Sequence, residues 1–164
     1  MKRFFIVTLA LILVVCSLAA CGGDNGSQGG SADAKEVVLS SLLEDINTQF
    51  GLSGLKVLEK ASDLSRYYKI DEADVKQFAA EMTTSSTEFC EVIIVEAVDG
   101  DAADRVLTQL SNHLDTQINT AKSYSQDQLA LVESCSAMQN KNFVFLVISD
   151  QASAIVDVID SATK

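Results

Sequence analysis

Two cysteines, one histidine and a few runs of acidic residues are the side chains through which this chain could do chemistry. Cys90 and Cys135 each lie in a stretch that reads as a β-strand. In an oxidising compartment such a pair is either a disulfide or two separate, partly buried thiols, and the residues leave both readings open. A bridge across this loop contributes about 4 kcal/mol by chain entropy. It requires neighbouring strands, with Cα atoms within about 7 Å. Neither cysteine belongs to a Cys-x-x-Cys pair, which argues against redox exchange. His113 is the sole histidine and sits beside the apolar stripe of a helix. A general base needs a nucleophile or carboxylate partner, a metal site needs further ligands, and its sequence neighbours offer neither. His113 therefore reads as a surface or boundary residue.

Asp99-Gly100-Asp101 with Asp104 has a calcium-like density of acids. An EF-hand loop would continue with an acid or Asn at 103 and Glu at 110, where this chain has Ala103 and Leu110. A strand exit followed by a capped helix fits better. Asp71, Glu72 and Asp74 read in the same way, as caps of a short turn or the start of a strand. Tyr67-Tyr68 could stack on a sugar or peptide, but a tyrosine pair at a helix end more often closes the edge of a core. Phosphate-loop, G-x-S-x-G and H-E-x-x-H patterns are absent. No catalytic, cofactor-binding or metal-ligating residue is assigned, and the expectation is a protein that is not an enzyme.

The elements that must position these side chains follow from apolar periodicity. Leu39, Leu42, Leu43, Ile46 and Phe50 predict a helix over 36–49, closed by Gly51. Leu58, Ala61, Leu64 and Tyr68 predict a weaker one over 58–68. Residues 75–82 fit helix or strand. Val92-Ile93-Ile94-Val95, β-branched throughout, predicts a strand over 88–98 that is covered on both faces. A long helix follows over 101–122, with Asp101 and Asp104 suiting its N-terminal dipole. Residues 131–138 read as a strand, 139–142 as a turn, 143–148 as a strand apolar on both faces, and 151–163 as a helix capped by Asp150. Residues 36–164 thus predict one α+β domain, a single layered unit whose mainly antiparallel sheet is covered by about four helices.

Composition narrows the function classes. The chain of 164 residues has 12 basic and 23 acidic side chains, a net charge of −11. Nucleic acid is excluded as a partner, because that binding is driven by neutralising phosphates with Lys and Arg. An apolar content of 48% is too high for a disordered acidic tail. Proline is absent, where average usage would place about eight.

The N-terminus carries its own message. Lys2 and Arg3 precede an apolar run from Phe4 to Val15, interrupted only by Thr8, and Ser17, Ala19 and Ala20 follow. This is the layout of an export signal, residues 1–20. The tetrad Leu18-Ala19-Ala20-Cys21 resembles the lipobox of bacterial lipoproteins. That resemblance implies a diacylglycerol thioether on Cys21, cleavage before it, and anchoring on the extracytoplasmic face of the cell membrane. Residues 21–35 then form a tether: five of the chain's eight glycines lie in Gly22 to Lys35. Such a coil has a reach of roughly 20 Å, or about 50 Å when taut. Without Lys2 and Arg3 the remaining chain holds 10 basic and 23 acidic residues, a balance of −13 that would repel an anionic membrane. Lipid, not adsorption, would have to hold it there.

The domain is similar to a family of Gram-positive bacterial lipoproteins that carry a domain of unknown function. The resemblance rests on the lipobox and tether, on Leu64 to Asp71, on Glu91 to Asp99, and on the stretch from Tyr124 to a hairpin ending at Asp150. It departs from that pattern at Lys141-Asn142, where a hairpin glycine is expected, and at its two domain cysteines. The family implies location and fold but no activity. The leading expectation is a membrane-anchored, non-catalytic accessory module that binds a protein partner at the cell envelope. The alternatives are a small-ligand-binding lipoprotein with an acidic pocket and, last, a hydrolase with an unrecognised carboxylate site.

Overall fold

The computed structural model describes residues 36–85 and 88–164. The signal, the tether and Cys21 lie outside the described residues. Residues 35–164 form one compact unit.

Five strands make one antiparallel sheet. In chain order they are β1 (Lys56–Leu58), β2 (Val75–Met82), β3 (Glu91–Ala97), β4 (Ala137–Asn140) and β5 (Phe143–Ile148). In space the order is β1-β2-β3-β5-β4. Among the described residues five α-helices accompany them: α1 (Leu39–Phe50), α2 (Ala61–Tyr68), α3 (Gly100–Tyr124), α4 (Leu129–Glu133) and α5 (Ala152–Ala162). The α+β reading with an antiparallel sheet holds.

The sheet is buried on both faces, which explains its unbroken apolar strands. On one face Ala80, Ile93, Val95, Val144, Leu146 and Ile148 pack against α2, α3 and α4. On the other, Ala79, Val92, Ile94, Phe145 and Val147 pack against α1 and α5. The α3 stripe of Ala103, Val106, Leu110 and Leu114 is buried as its spacing predicts.

Local chemistry sets the ends of the elements. Gly51 closes α1 at φ 68°, a conformation without cost only for glycine. Val38 cannot cap α1, and Gln77 on β2 does so instead: its Oε1 accepts from Leu39 N–H at 3.2 Å and its amide donates to the Val37 carbonyl at 2.8 Å. A bulge at Lys76 shifts the β2–β3 register, and both Lys76 and Gln77 reach Glu96, at 2.7 and 2.6 Å. Lys141 takes φ 54° in the two-residue turn from β4 to β5, the position where the family resemblance led us to expect glycine.

Three expectations change. Leu58 ends an edge strand, Lys56–Leu58, rather than starting a helix, because that strand pairs with Ala80, Glu81 and Met82 of β2, and α2 begins only at Ala61. Residues 131–133 belong to α4, and β4 begins only at Ala137. Val132 is fully buried against the core, and a short amphipathic helix buries it as well as a strand would. Asp150 does not cap α5. The Ser149 hydroxyl accepts from Gln151 N–H at 3.1 Å and donates to Asp150 at 3.2 Å.

One buried acid carries a stability signature. Glu81 on β2 is 3% exposed, and its Oε2 accepts from the Asn47 amide of α1 at 2.9 Å. Glu81 Oε1 and Asn47 Oδ1 have no hydrogen-bond partner among the described residues. Burial pushes the Glu81 carboxyl above its usual range, against the opposing effect of the Asn47 bond. A proton on the carboxyl is the one donor this pair lacks. Between the unfolded and folded pKa the native state binds more protons than the unfolded state, so stability falls as pH rises through that window. Glu81→Gln, which carries a permanent donor, is expected to flatten this fall. Chemical denaturation of both proteins from pH 4 upward checks it, and parallel curves would contradict it.

Candidate functional site: a buried carboxylate, imidazole and phenol

Glu91 opens β3 and shares its face with Ile93 and Val95, directed toward α2 and α3. It is 4% exposed. A carboxylate in such a place must be hydrogen-bonded, and two helices supply the partners. Tyr68, the last residue of α2, donates its hydroxyl to Glu91 Oε2 at 3.2 Å. His113 of α3 brings Nε2 to 2.8 Å from Glu91 Oε1. The two rings meet edge-on, with centroids 4.5 Å apart and planes at 66°. Gln117, one turn beyond His113, places its side-chain amide 3.1 Å from the same Nε2. Nε2 cannot both donate to the carboxylate and accept from the Gln117 NH2 group. The buried carboxylate needs a donor, so we place the ring proton on Nε2, facing Glu91.

Electrostatics follow from this packing. Burial pushes the Tyr68 phenol far above its usual value, and the Glu91 charge and hydrogen bond push in the same direction. Tyr68 is therefore a fixed donor and not an acid. Beside Glu91 a cavity of about 220 Å³ opens, lined among others by Met82, Glu88, Phe89, Gln117 and Thr120.

Of the two expected places, His113 takes the boundary rather than the surface: its side chain is 11% exposed. Its partner lies 22 residues away in sequence, which is why neighbouring residues gave no hint of it. Glu91 and Gln117 escaped the sequence reading. A signal for Glu91 existed: it shares the parity of Ile93 and Val95 on a strand expected to be covered on both faces, so it had to be buried and paired.

The other candidates are structural. Cys90 and Cys135 are free thiols. Cys90 directly precedes β3 and Cys135 precedes β4, and β5 lies between those strands. Burial raises both thiols, so each is held in the unreactive protonated form at neutral pH. Asp99 caps α3 by accepting from Ala102 N–H at 2.8 Å. Asp71 accepts from Ala73 N–H at 3.0 Å. Asp74 makes a two-pronged pair with Arg105 of α3, at 2.5 and 3.0 Å, and the guanidinium holds its carboxyl below the usual range. No metal-ligating cluster occurs among the described residues. Tyr67 is partly buried at the edge of the core, as expected for a tyrosine pair at a helix end, and Lys56 donates to its hydroxyl at 2.8 Å while Arg66 lies 5.3 Å from its ring centre.

Residues 49–149 match the family model described as a domain of unknown function, DUF4358. The match covers more than half of the chain. The protein belongs to the DUF4358 family. No curated protein and no solved structure matches it. The DUF4358 match includes Tyr68, Glu91, His113 and Gln117, together with the whole sheet. It leaves out α5 and most of α1, the helices that cover the opposite face.

Removing the Tyr68 hydroxyl leaves Glu91 Oε2 without its donor while keeping the ring in place. Tyr68→Phe is expected to cost about 1–3 kcal/mol, read as a lower denaturation midpoint at unchanged slope. A loss below about 0.5 kcal/mol, the scatter of surface substitutions, would show that the hydroxyl is not needed.

Proposed function

We propose that this DUF4358 protein is an extracytoplasmic lipoprotein of the cell membrane, held by lipid on Cys21, whose folded domain is a non-catalytic module that binds a protein partner. The observation that carries this reading is the order of segments: a charged start, an apolar run, Leu18-Ala19-Ala20-Cys21, a glycine-rich tract and then one compact unit. Two acyl chains on one cysteine meet the requirement for stable anchoring.

The domain surface supports a partner role. On a chain of net charge −11, Lys56, Lys60, Arg66 and Lys69 lie on β1, α2 and their flanks, and Lys56 and Arg66 stand over the Tyr67 ring. Lys56 and Arg66 are exposed. The adjoining edge strand β1 presents Val57, 55% exposed. An edge strand with cations and an aromatic beside it suits an extended acidic segment of another protein.

Two measurements test the proposal. Cells fed labelled palmitate are expected to label the wild-type chain and not Cys21→Ala. Absence of label on the wild type would overturn the anchoring. Crosslinking the full-length protein in intact cells is expected to yield a reproducible membrane-protein adduct that Lys56→Glu with Arg66→Glu removes. Recovery of abundant bystanders alone, at good labelling yield, would overturn the partner role.

A further inference from the structure

The cavity beside Glu91 has the features of a ligand site, separate from the surface around Tyr67. We propose that it binds a small organic cation, an ammonium group on a compact apolar body. Its size is suitable. At about 220 Å³ it exceeds the roughly 150 Å³ of an apolar cavity that accepts benzene, which leaves room for a six-membered ring with a short arm. Its walls are divided in chemistry. Met82, Phe89 and Ile148 supply apolar surface, and an aromatic ring is also a favourable neighbour for a cation. Glu88 and Glu91 supply negative charge, Gln117 and Thr120 supply hydrogen-bonding groups, and no lining residue among those described is basic.

Glu91 retains acceptor capacity for such a ligand. Each of its oxygens has one protein partner, Tyr68 or His113, whereas an ionised carboxylate offers about four lone-pair sites. The two partners fix the carboxylate in place before any ligand arrives, which lowers the ordering cost of binding. Anions are disfavoured by two carboxylates in one small cavity. A neutral ligand of the same shape gains the apolar contacts but not the charge-assisted bond. The acidic domain as a whole draws cations toward the cavity mouth.

His113 makes the test direct. It is the chain's only histidine, and it touches both Glu91 and Gln117 of the cavity wall. The experiment uses untagged full-length protein in zwitterionic detergent, labelled with ¹⁵N-histidine and held at one pH. Benzylammonium, benzyl alcohol and benzoate are titrated separately while the single imidazole is followed by NMR. Benzylammonium is expected to shift the imidazole signals saturably, with at least tenfold weaker responses to the other two. Thr120→Phe, which fills the cavity from α3 without touching the Glu91–His113 contact, is expected to abolish the shift, and Glu91→Gln to weaken it at least tenfold. The proposal is overturned by no saturable shift with benzylammonium, by an equal response to benzyl alcohol, or by a response that survives Thr120→Phe.

Discussion

The central strand β3 is buried on both faces, and the fold depends on that constraint. Val92 to Val95 are fully inaccessible, and each face of the strand needs its own layer of helices. The apolar run is bounded by two acids that point to opposite faces. Glu91 is taken up by Tyr68 and His113 on one side, and Glu96 by Lys76 and Gln77 on the other. A one-residue slip would turn Glu91 toward α1 and Glu96 toward α3, away from every partner they have. The carboxylates thus specify a register that the apolar residues alone, similar on both faces, would leave weakly determined.

That same device builds the site. Tyr68 ends α2, His113 sits midway along α3, and both close on the first residue of β3. The cavity lies where this polar cluster meets the end of the apolar layer. Position within the fold, more than any sequence motif, gives Glu91 its character. On the opposite face, Gln77 grips the first turn of α1, where the chain enters the domain.

Much of the fold could be read from residue patterns, because periodicity and burial agree in the long elements. The α3 stripe, the doubly apolar β3 and β5, and the αL cap at Gly51 all follow from local chemistry. Reading failed where tertiary pairing outweighed local preference. Leu58 belongs to a strand only because β2 is beside it, and Val132 is buried by a single turn of helix rather than by a strand. The site was legible only in part. His113 was visible as a residue but not as a partner, because Glu91 is remote in sequence and Gln117 follows it on the inward side of a long helix. Cys90 and Cys135 could not be placed without strand order, which sets β5 between the strands they precede.

The account stands on the coupling of Glu91 to His113, which joins the central strand to its longest helix. A double-mutant cycle of Glu91→Gln and His113→Asn, measured by chemical denaturation near neutral pH, tests it most directly. Residues in direct polar contact are expected to show an interaction energy of about 0.5–3 kcal/mol, with the double variant less destabilised than the sum of the two single ones. Additivity within about 0.5 kcal/mol would mean that the carboxylate and the imidazole are neighbours without being partners.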